Sequence, residues 1–265
     1  MSKYFAVFKA SLKQESKTLT NSLVSAVSFL VIIFIFNELW GYIYGGSGIG
    51  ETINGYSLKM MIWYMIMAEV FMYAINCRVT TKAFANDIKT GKIAYSLNKP
   101  YNYFCYQVSS SAGVFCWKLL FLIPSAIIIG LVTVGPIENF SVAHIVPLLI
   151  SCLFGVFLNC IMYGIIGLFC FWIEESTPFT WILQKFNMLF GLFFPPEFFP
   201  GVLQTIIKYS PIYATMSGPS KLLANFSWQL FAEVSITQIA YIALFFCLGL
   251  LIQKLGSRRV SNYGG

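Results

Sequence analysis

The segment RVTTKAFANDIKTGKIAYSLNKP, residues 78–100, is a basic hydrophilic stretch that lies between two strongly apolar ones. Apolar stretches of about 20 residues cross a lipid bilayer as helices, so a basic segment between two of them lies at the membrane surface. Its lysines and its arginine make that surface positively charged. The segment therefore separates two membrane spans and predicts a docking surface on one side of the membrane.

The composition places the whole chain among the membrane proteins. Of its 265 residues, 58% are hydrophobic and 10% are charged, and the mean hydropathy is +0.74. Soluble domains are about 25% charged. The net charge of +7 comes from residues that flank the apolar segments, which is typical of a topology signal and not of nucleic-acid binding. The seven cysteines form no CxxC pair and the chain has one histidine, so we predict neither disulfides nor a metal site.

Six apolar segments predict an all-α membrane protein with six transmembrane helices in a single transmembrane domain, residues 1–265. The predicted spans are 22–43, 59–77, 106–133, 145–172, 179–194 and 230–252. Twelve of the 17 basic residues lie in the N-terminal tail, in the loop 78–104 and in the C-terminal tail. Because positive charge accumulates in cytoplasmic segments, we expect both termini to be cytoplasmic.

The N-terminal stretch 3–20 places Tyr4, Phe5, Phe8 and Leu12 at helical spacing, with lysines between them. This pattern predicts an amphipathic helix that lies in the cytoplasmic membrane interface. A short disordered tail is the alternative.

The region 191–215, before the last span, combines prolines with many aromatic residues. Pro195, Pro196 and Pro200 cannot continue a helix, yet the phenylalanines around Glu197 are too apolar for a loop in water. Irregular backbone at membrane depth persists only where protein covers it or where it lines a cavity. We therefore expect a re-entrant helical hairpin here, and a pair of helices on the outer membrane surface is the alternative.

Two ionisable residues fall near the middle of predicted spans, Glu69 in the second and Lys118 in the third. Charges at this depth are costly and mark functional sites by default. The two side chains could pair across adjacent antiparallel spans. Such a pair would serve either as a substrate or proton site or as a structural ion pair.

The chain contains no motif for ATP hydrolysis or for other catalysis, so we expect that it is not an enzyme. GGSGIGET, residues 45–52, is rich in glycine but lacks the Lys-Ser/Thr pair of a P-loop and follows a membrane span instead of a strand. We expect no cofactor in this chain. Any energy source must lie on another subunit or be an ion gradient.

The stretch DIKTGKIAYSLNKPYNY, residues 87–103, is similar to the first cytoplasmic loop of the ABC-2-type permeases. It resembles most a subgroup with the pattern D-(I/V)-x-x-G-x-(I/L)-x-x-x-L-x-(K/R)-P. The matching positions are Asp87, Ile88, Gly91, Ile93, Leu97, Lys99 and Pro100. The basic N-terminal helix, the six spans, the proline-rich region and the short basic tail that ends in Gly264 and Gly265 also resemble this family.

The resemblance implies the membrane subunit of an ATP-binding-cassette exporter in the inner or plasma membrane of a bacterial cell. Permeases of this subgroup dimerise, often as heterodimers, and each binds a cytosolic ATPase subunit that holds ATP and Mg²⁺. The segment 78–100 would be the coupling helix. The ATPase contacts implied by the resemblance are Asp87, Ile88, Lys89, Gly91, Lys92, Ile93, Lys99 and Pro100, and the N-terminal helix would be a second contact.

Other features refine this expectation and leave two alternatives. Glu174 and Glu175 form an acidic turn that is either a smaller contact with the partner or a solvated turn. The scarcity of polar residues in the spans favours a hydrophobic or amphiphilic substrate that passes near membrane lipid. An ion-coupled secondary transporter would instead use Glu69 or Lys118. A membrane scaffold or immunity component would bind a partner through 78–100 and transport nothing.

Overall fold

The computed structural model describes residues 2–45, 52–74, 77–137, 140–173 and 175–263. Within these residues the chain folds into helices, and extended pairing is limited to one isolated bridge between Ile53 and Tyr56. The fold class is therefore all-α, as predicted. The α-helices are α1 Ser2–Ser16, α2 Leu19–Gly45, α3 Leu58–Ala74, α4 Cys77–Lys89, α5 Lys92–Leu97, α6 Tyr103–Thr133, α7 Ile145–Leu168, α8 Thr177–Asn187, α9 Gly201–Lys208, α10 Gly218–Ala224 and α11 Trp228–Tyr263.

Four helical stretches among the described residues are long and apolar enough to cross a membrane. They are Ser22–Gly45, Tyr103–Thr133, Val142–Phe171 and Trp228–Arg258. These stretches coincide with the first, third, fourth and sixth predicted spans. The second, α3, has 17 residues, and the fifth consists of α8 and a short π-helical segment, so neither reaches the ~20 residues of an average span. The count of six spans therefore stays a prediction.

Helix α3 lies at the centre of the bundle. It is apolar all round and is buried almost throughout from Met61 to Phe71, which is typical of a core helix. Helices α2, α6 and α10 pack around it, while α7 packs against α6 and α11 on the other side of the bundle. Most of the buried apolar side chains form one continuous core that α3 shares with α6 and α7.

Phe104 shows how closely the long helices approach one another. A Cβ atom on Gly164 of α7 would lie 2.9 Å from the Phe104 ring, and one on Gly249 of α11 would lie 2.4 Å from it. Small residues at such crossings let helices in a membrane pack tightly. In addition, the Phe104 backbone N–H donates to Gln253 Oε1 of α11 at 3.0 Å. The start of α6 is therefore fixed to both α7 and α11.

The proline-rich region begins and ends in π-helical segments, Met188–Phe193 and Tyr213–Ser217. The first segment ends where Phe194 becomes extended, directly before two prolines. Side chains from other parts of the bundle donate hydrogen bonds to backbone carbonyl groups of these segments. Tyr64 Oη donates to Gly191 O at 2.9 Å, and Gln238 Nε2 donates to Ala214 O at 2.9 Å. The interruption of the helix agrees with the prediction, while insertion of a re-entrant hairpin into the membrane stays a prediction.

The two ends of the bundle differ in chemistry. The basic end contains α1, α4, α5 and the start of α6; the aromatic end contains residues 52–57, 134–137 and 194–212. Helix α1 covers most of the predicted helix 3–20 but ends at Ser16, and it runs along the first turns of α6. The Asn102 backbone N–H donates to Tyr4 Oη at 2.9 Å, and the hydroxyl oxygens of Ser11 and Ser110 are 2.8 Å apart. Placement of α1 in the membrane interface stays a prediction.

Candidate docking site

The segment 78–100 forms two short helices, α4 and α5, joined by a tight turn at Gly91. Gly91 has a φ of 71°, in the left-handed region that glycine adopts without the strain that other residues incur. Its backbone N–H donates to Ile88 O at 3.1 Å and closes the end of α4. The glycine of the sequence pattern therefore suits the turn that joins the two helices.

Buried side chains hold this segment against the bundle. Phe84 is fully buried, and its ring meets the Tyr103 ring edge-on with 5.4 Å between the centroids. A Cβ atom on Gly167 of α7 would lie 2.5 Å from the Phe84 ring, so α4 rests directly on α7. Ile93 is also buried. Its side chain, which the resemblance placed among the ATPase contacts, faces the bundle and not the surface.

Asp87 connects the segment to α6. Its Oδ2 atom accepts a hydrogen bond from Tyr103 Oη at 2.8 Å and a longer one from Gln107 Nε2 at 3.4 Å. Gln107 Nε2 also donates to Tyr103 Oη at 2.9 Å, so the three side chains form one network. Hydrogen bonds to a carboxylate are stronger than those between neutral groups. Asp87, which the resemblance also placed in the partner contact, thus has a partner within the chain.

Five other side chains of the segment form a surface that we call the docking face: Lys82, Lys89, Lys92, Tyr95 and Lys99. Lys82, Lys89 and Lys92 are exposed, Tyr95 is 70% exposed, and Lys99 is partly exposed. The Lys99 ammonium lies 4.4 Å from the centre of the Tyr95 ring, a cation–π arrangement that holds the two side chains together. Gly91 and Pro100 are exposed at its edges, and Ile88 is partly buried.

The N-terminal helix continues this surface. Lys3 Nζ of α1 donates a hydrogen bond to Pro100 O at 3.3 Å. Because α1 and the docking face both contact the start of α6, the basic end presents one broad, positively charged surface. Such a surface attracts an acidic partner and accelerates its association.

The acidic turn after α7 lies next to this region. Glu174 is outside the described residues. Glu175 accepts a hydrogen bond from Thr177 Oγ1 at 2.9 Å and is exposed. Helix α8, which begins at Thr177, packs against α4. A contribution of the turn to partner binding stays a prediction.

The two predicted intramembrane charges occupy different environments. Glu69 is buried within α3, whereas Lys118 of α6 is half-buried. The ion pairs recorded among the described residues join Lys208 to Glu233 and Lys221 to Glu197. Pairing of Glu69 with Lys118 stays a prediction.

Glu197 is the polar centre of the aromatic end. Its carboxylate forms an ion pair with Lys221 and accepts a hydrogen bond from Tyr56 Oη at 3.1 Å. Burial and the neighbouring Glu197 carboxylate raise the pKa of Tyr56, so the phenol keeps its proton and donates. Pro195 and Pro196 are buried beside it, whereas Pro200 is exposed. The proline-rich region is therefore tied to the loop before α3 and to α10.

Sequence reasoning overlooked three residues that shape the docking site. Phe84, Tyr103 and Gln107 determine how the segment sits on the bundle, yet none of them was singled out. Tyr103 and Gln107 are four residues apart and so share one face of α6, which is the one local sign of their joint role. Within the described parts of the chain, no group of three or more possible metal ligands occurs.

Comparison with known proteins adds one match. A family model described as ABC-2 family transporter protein covers residues 22–264. No curated protein matches the chain.

Proposed function

The chain belongs to the ABC-2 family of transporter proteins, and from this premise we propose that it is the permease subunit of an ATP-binding-cassette exporter. The family indicated by residues 87–103 is confirmed, and the chain is a multi-pass membrane protein. The proposal adds a separate cytosolic ATPase at the basic end, a second permease chain, identical or different, and outward transport. ATP and Mg²⁺ would be held by the ATPase.

The observation that carries the proposal is the docking face. It is exposed and positively charged, yet the helices beneath it are held by the buried side chains of Phe84 and Ile93. A mobile loop displaced by a bound partner would move without moving the spans. A segment anchored by buried side chains moves the helices that it contacts, and coupling to an ATPase requires such transmitted movement.

Two contacts connect the docking segment to the spans. Asp87 accepts a hydrogen bond from Tyr103, the first residue of α6, and the ring of Phe84 packs against the ring of the same tyrosine. The next residue, Phe104, packs against α7 and α11. Closure of the ATPase pair would therefore move three long helices together, because they meet around Tyr103 and Phe104. We assign the ATPase contact itself to Lys89, Lys92, Tyr95 and Lys99, and a positioning role to Asp87.

Charge distribution supports the proposed orientation. The basic end holds the lysines of α1 and of the docking face, so by the positive-inside rule it faces the cytoplasm. Both termini would then be cytoplasmic, in the inner or plasma membrane of a bacterial cell. Most of the side chains buried in the described spans are apolar, with Ser151, Asn159 and Gln238 among the polar exceptions, and this supports a hydrophobic or amphiphilic substrate.

Co-purification from the native membrane tests the proposal. We expect the tagged chain, extracted in mild detergent, to bring with it an ATPase that carries a P-loop, together with a second permease chain. A chain that purifies alone under these conditions, with ATP present, would overturn the proposal and favour an ion-coupled carrier.

Once the ATPase has been identified, variants with altered charge test whether it binds at the docking face. The double variant Lys89→Gln/Lys92→Gln should bind it about tenfold more weakly, because each exposed ion pair contributes up to ~1 kcal/mol. The control is Lys208→Gln, which removes a positive charge at the opposite end of the bundle and should leave binding unchanged. Equal effects of both variants would argue against the docking face.

A further inference from the structure

An apolar cavity of about 390 Å³ lies between α3, α6 and α7, far from the docking face. Its volume falls within the range of about 300–1,000 Å³ that is typical of small-molecule sites. The walls include Trp63, Met67, Ala126, Leu131, Leu148 and Cys152. With walls of this kind the cavity offers hydrocarbon contacts and almost no partners for water, and apolar cavities stay dry.

The cavity opens sideways toward the membrane. Ile127 and Leu131 of α6 and Ile145 and Leu149 of α7 line it and are 41–49% exposed. Both helices belong to stretches that are long and apolar enough to cross a membrane, so in the single chain the exposed sides of these four residues face the hydrocarbon layer. The medium at the mouth of the cavity is therefore hydrocarbon, and the molecule with ready access is an acyl chain.

A positive charge lies at the rim of the cavity. Lys59, in the first turn of α3, places its ammonium 4.0 Å from the position that a Cβ on Gly135 would occupy. The residues that follow, Pro136 and Ile137, are part of the wall. Trp63 Nε1 donates to Gly135 O at 3.2 Å and fixes this rim to α3. The charge thus sits directly beside the apolar walls.

The spacing along α3 suits an amphiphile. Trp63 and Met67, which line the cavity, follow Lys59 by one and two helical turns. At 1.5 Å per residue, the walls extend about 12 Å from the charge along the helix axis. A ligand with an anionic head and a hydrocarbon tail matches this arrangement of one cation and a long apolar pocket.

We propose that this cavity binds an acyl chain of an anionic membrane phospholipid, whose phosphate lies beside Lys59. The lipid would be a resident of the bundle, held between α3, α6 and α7. This site goes beyond the transport role, because its occupancy needs neither the ATPase nor a transported substrate. The Lys59 ammonium beside apolar walls favours a phospholipid as occupant, because that one molecule supplies both an anionic phosphate and an acyl chain.

Photo-cross-linking tests the proposal on the full chain reconstituted in lipid vesicles. The probe is phosphatidylglycerol with a diazirine in one acyl chain, and the labelled peptides are identified by mass spectrometry after irradiation. We expect labelling to concentrate on the parts of α6 and α7 that contain Ala126, Ile127, Ile145 and Leu149. The same chain labelled with a phosphatidylcholine probe should show less labelling there, because the zwitterionic head interacts less favourably with Lys59.

Two variants distinguish a lipid bound in the cavity from lipid that only touches the outer surface of the helices. Ala126→Phe fills the cavity and should reduce its labelling about tenfold, because excluding even two methylene groups from burial costs that factor in affinity. Ile127→Trp narrows the mouth from the lipid side and should reduce labelling even if Ala126→Phe fails to fold. The control is Val132→Phe, a change at a residue that is 80% exposed on the same helix and does not line the cavity.

A third variant tests the charge. Lys59→Gln should abolish the preference for phosphatidylglycerol over phosphatidylcholine and leave some labelling by both probes. The proposal is overturned if labelling at the cavity is no stronger than on the lipid-facing residues of α2, or if Ile127→Trp and Val132→Phe behave alike. The first result would indicate ordinary surrounding lipid or coverage by a second copy of the chain.

Discussion

Replacement of Phe84 by alanine should release the docking face from the bundle while the spans stay folded. Phe84 is fully buried, and its ring lies between Tyr103 and the backbone of Gly167. Alanine removes the ring without adding a polar group or altering the charge of the surface. The change therefore isolates the anchor from the residues that would contact a partner.

The size of the effect follows from the area that the ring buries. A buried aromatic side chain covers about 150–250 Å², which at about 25 cal/mol per Å² is worth about 4–6 kcal/mol. Substitutions of buried Phe by Ala typically cost about 3–5 kcal/mol. Helices of 13 and 6 residues, the lengths of α4 and α5, have little stability of their own, so they depend on this burial. The substitution therefore lowers the free energy that is needed to open α4 and α5 locally.

Hydrogen exchange followed by mass spectrometry, on the chain in lipid nanodiscs, measures this opening. A loss of about 3–5 kcal/mol corresponds to exchange that is at least 10²-fold faster in α4 and α5. Phe5→Ala serves as the control, since Phe5 is 58% exposed on α1 at the same end of the bundle. Exchange in α4 and α5 that rises less than about threefold would contradict the role of Phe84 as the anchor of the segment, and an equal rise in α6 and α7 would contradict a local opening.

Three further predictions concern other contacts. Asp87→Asn and Tyr103→Phe should each accelerate exchange in α4, and their combination should cost less than the sum, because they share a hydrogen bond; additive effects would contradict the network. Glu197→Gln should lower the melting temperature in detergent by several degrees, whereas adding Lys221→Met should recover most of the loss; no recovery would contradict a coupled pair. Gly113→Val should expose α1 to trypsin, because a Cβ would lie 2.4 Å from the carbonyl oxygen of Phe8; unchanged digestion would show that α6 has room there.

The long helices could be predicted because their signal is local. A run of about 20 apolar residues identifies a span wherever it occurs in a chain, and α2, α6 and α7 follow the predicted apolar segments closely. Helix α11 contains the predicted span 230–252 and continues to Tyr263. Gly91 could likewise be singled out from its pattern, and its positive φ explains why glycine stands there. Proline chemistry similarly predicted the end of the helix before Pro195.

The contacts of the docking segment could not be predicted in the same way. Asp87 looked like a surface charge, because no local pattern shows that Tyr103 donates to it from another helix. Phe84 looked like one apolar residue in a polar stretch, and its burial depends on the absence of a side chain at Gly167, far along the chain. The π-helical segments also have partners far away in the sequence, since Tyr64 and Gln238 donate hydrogen bonds to their backbone carbonyl groups.

Pro124 divides helix α6 into two unequal parts. At 1.5 Å per residue, about 31 Å separate Tyr103 from Pro124, and about 14 Å separate Pro124 from Thr133. Proline removes a backbone hydrogen bond, so a helix bends more easily there than elsewhere along its length. The short part is held against α3, because a Cβ atom on Gly130 would lie 2.3 Å from the Trp63 ring. A displacement delivered at the docking face would therefore tilt the long part about Pro124 and leave the short part in contact with Trp63.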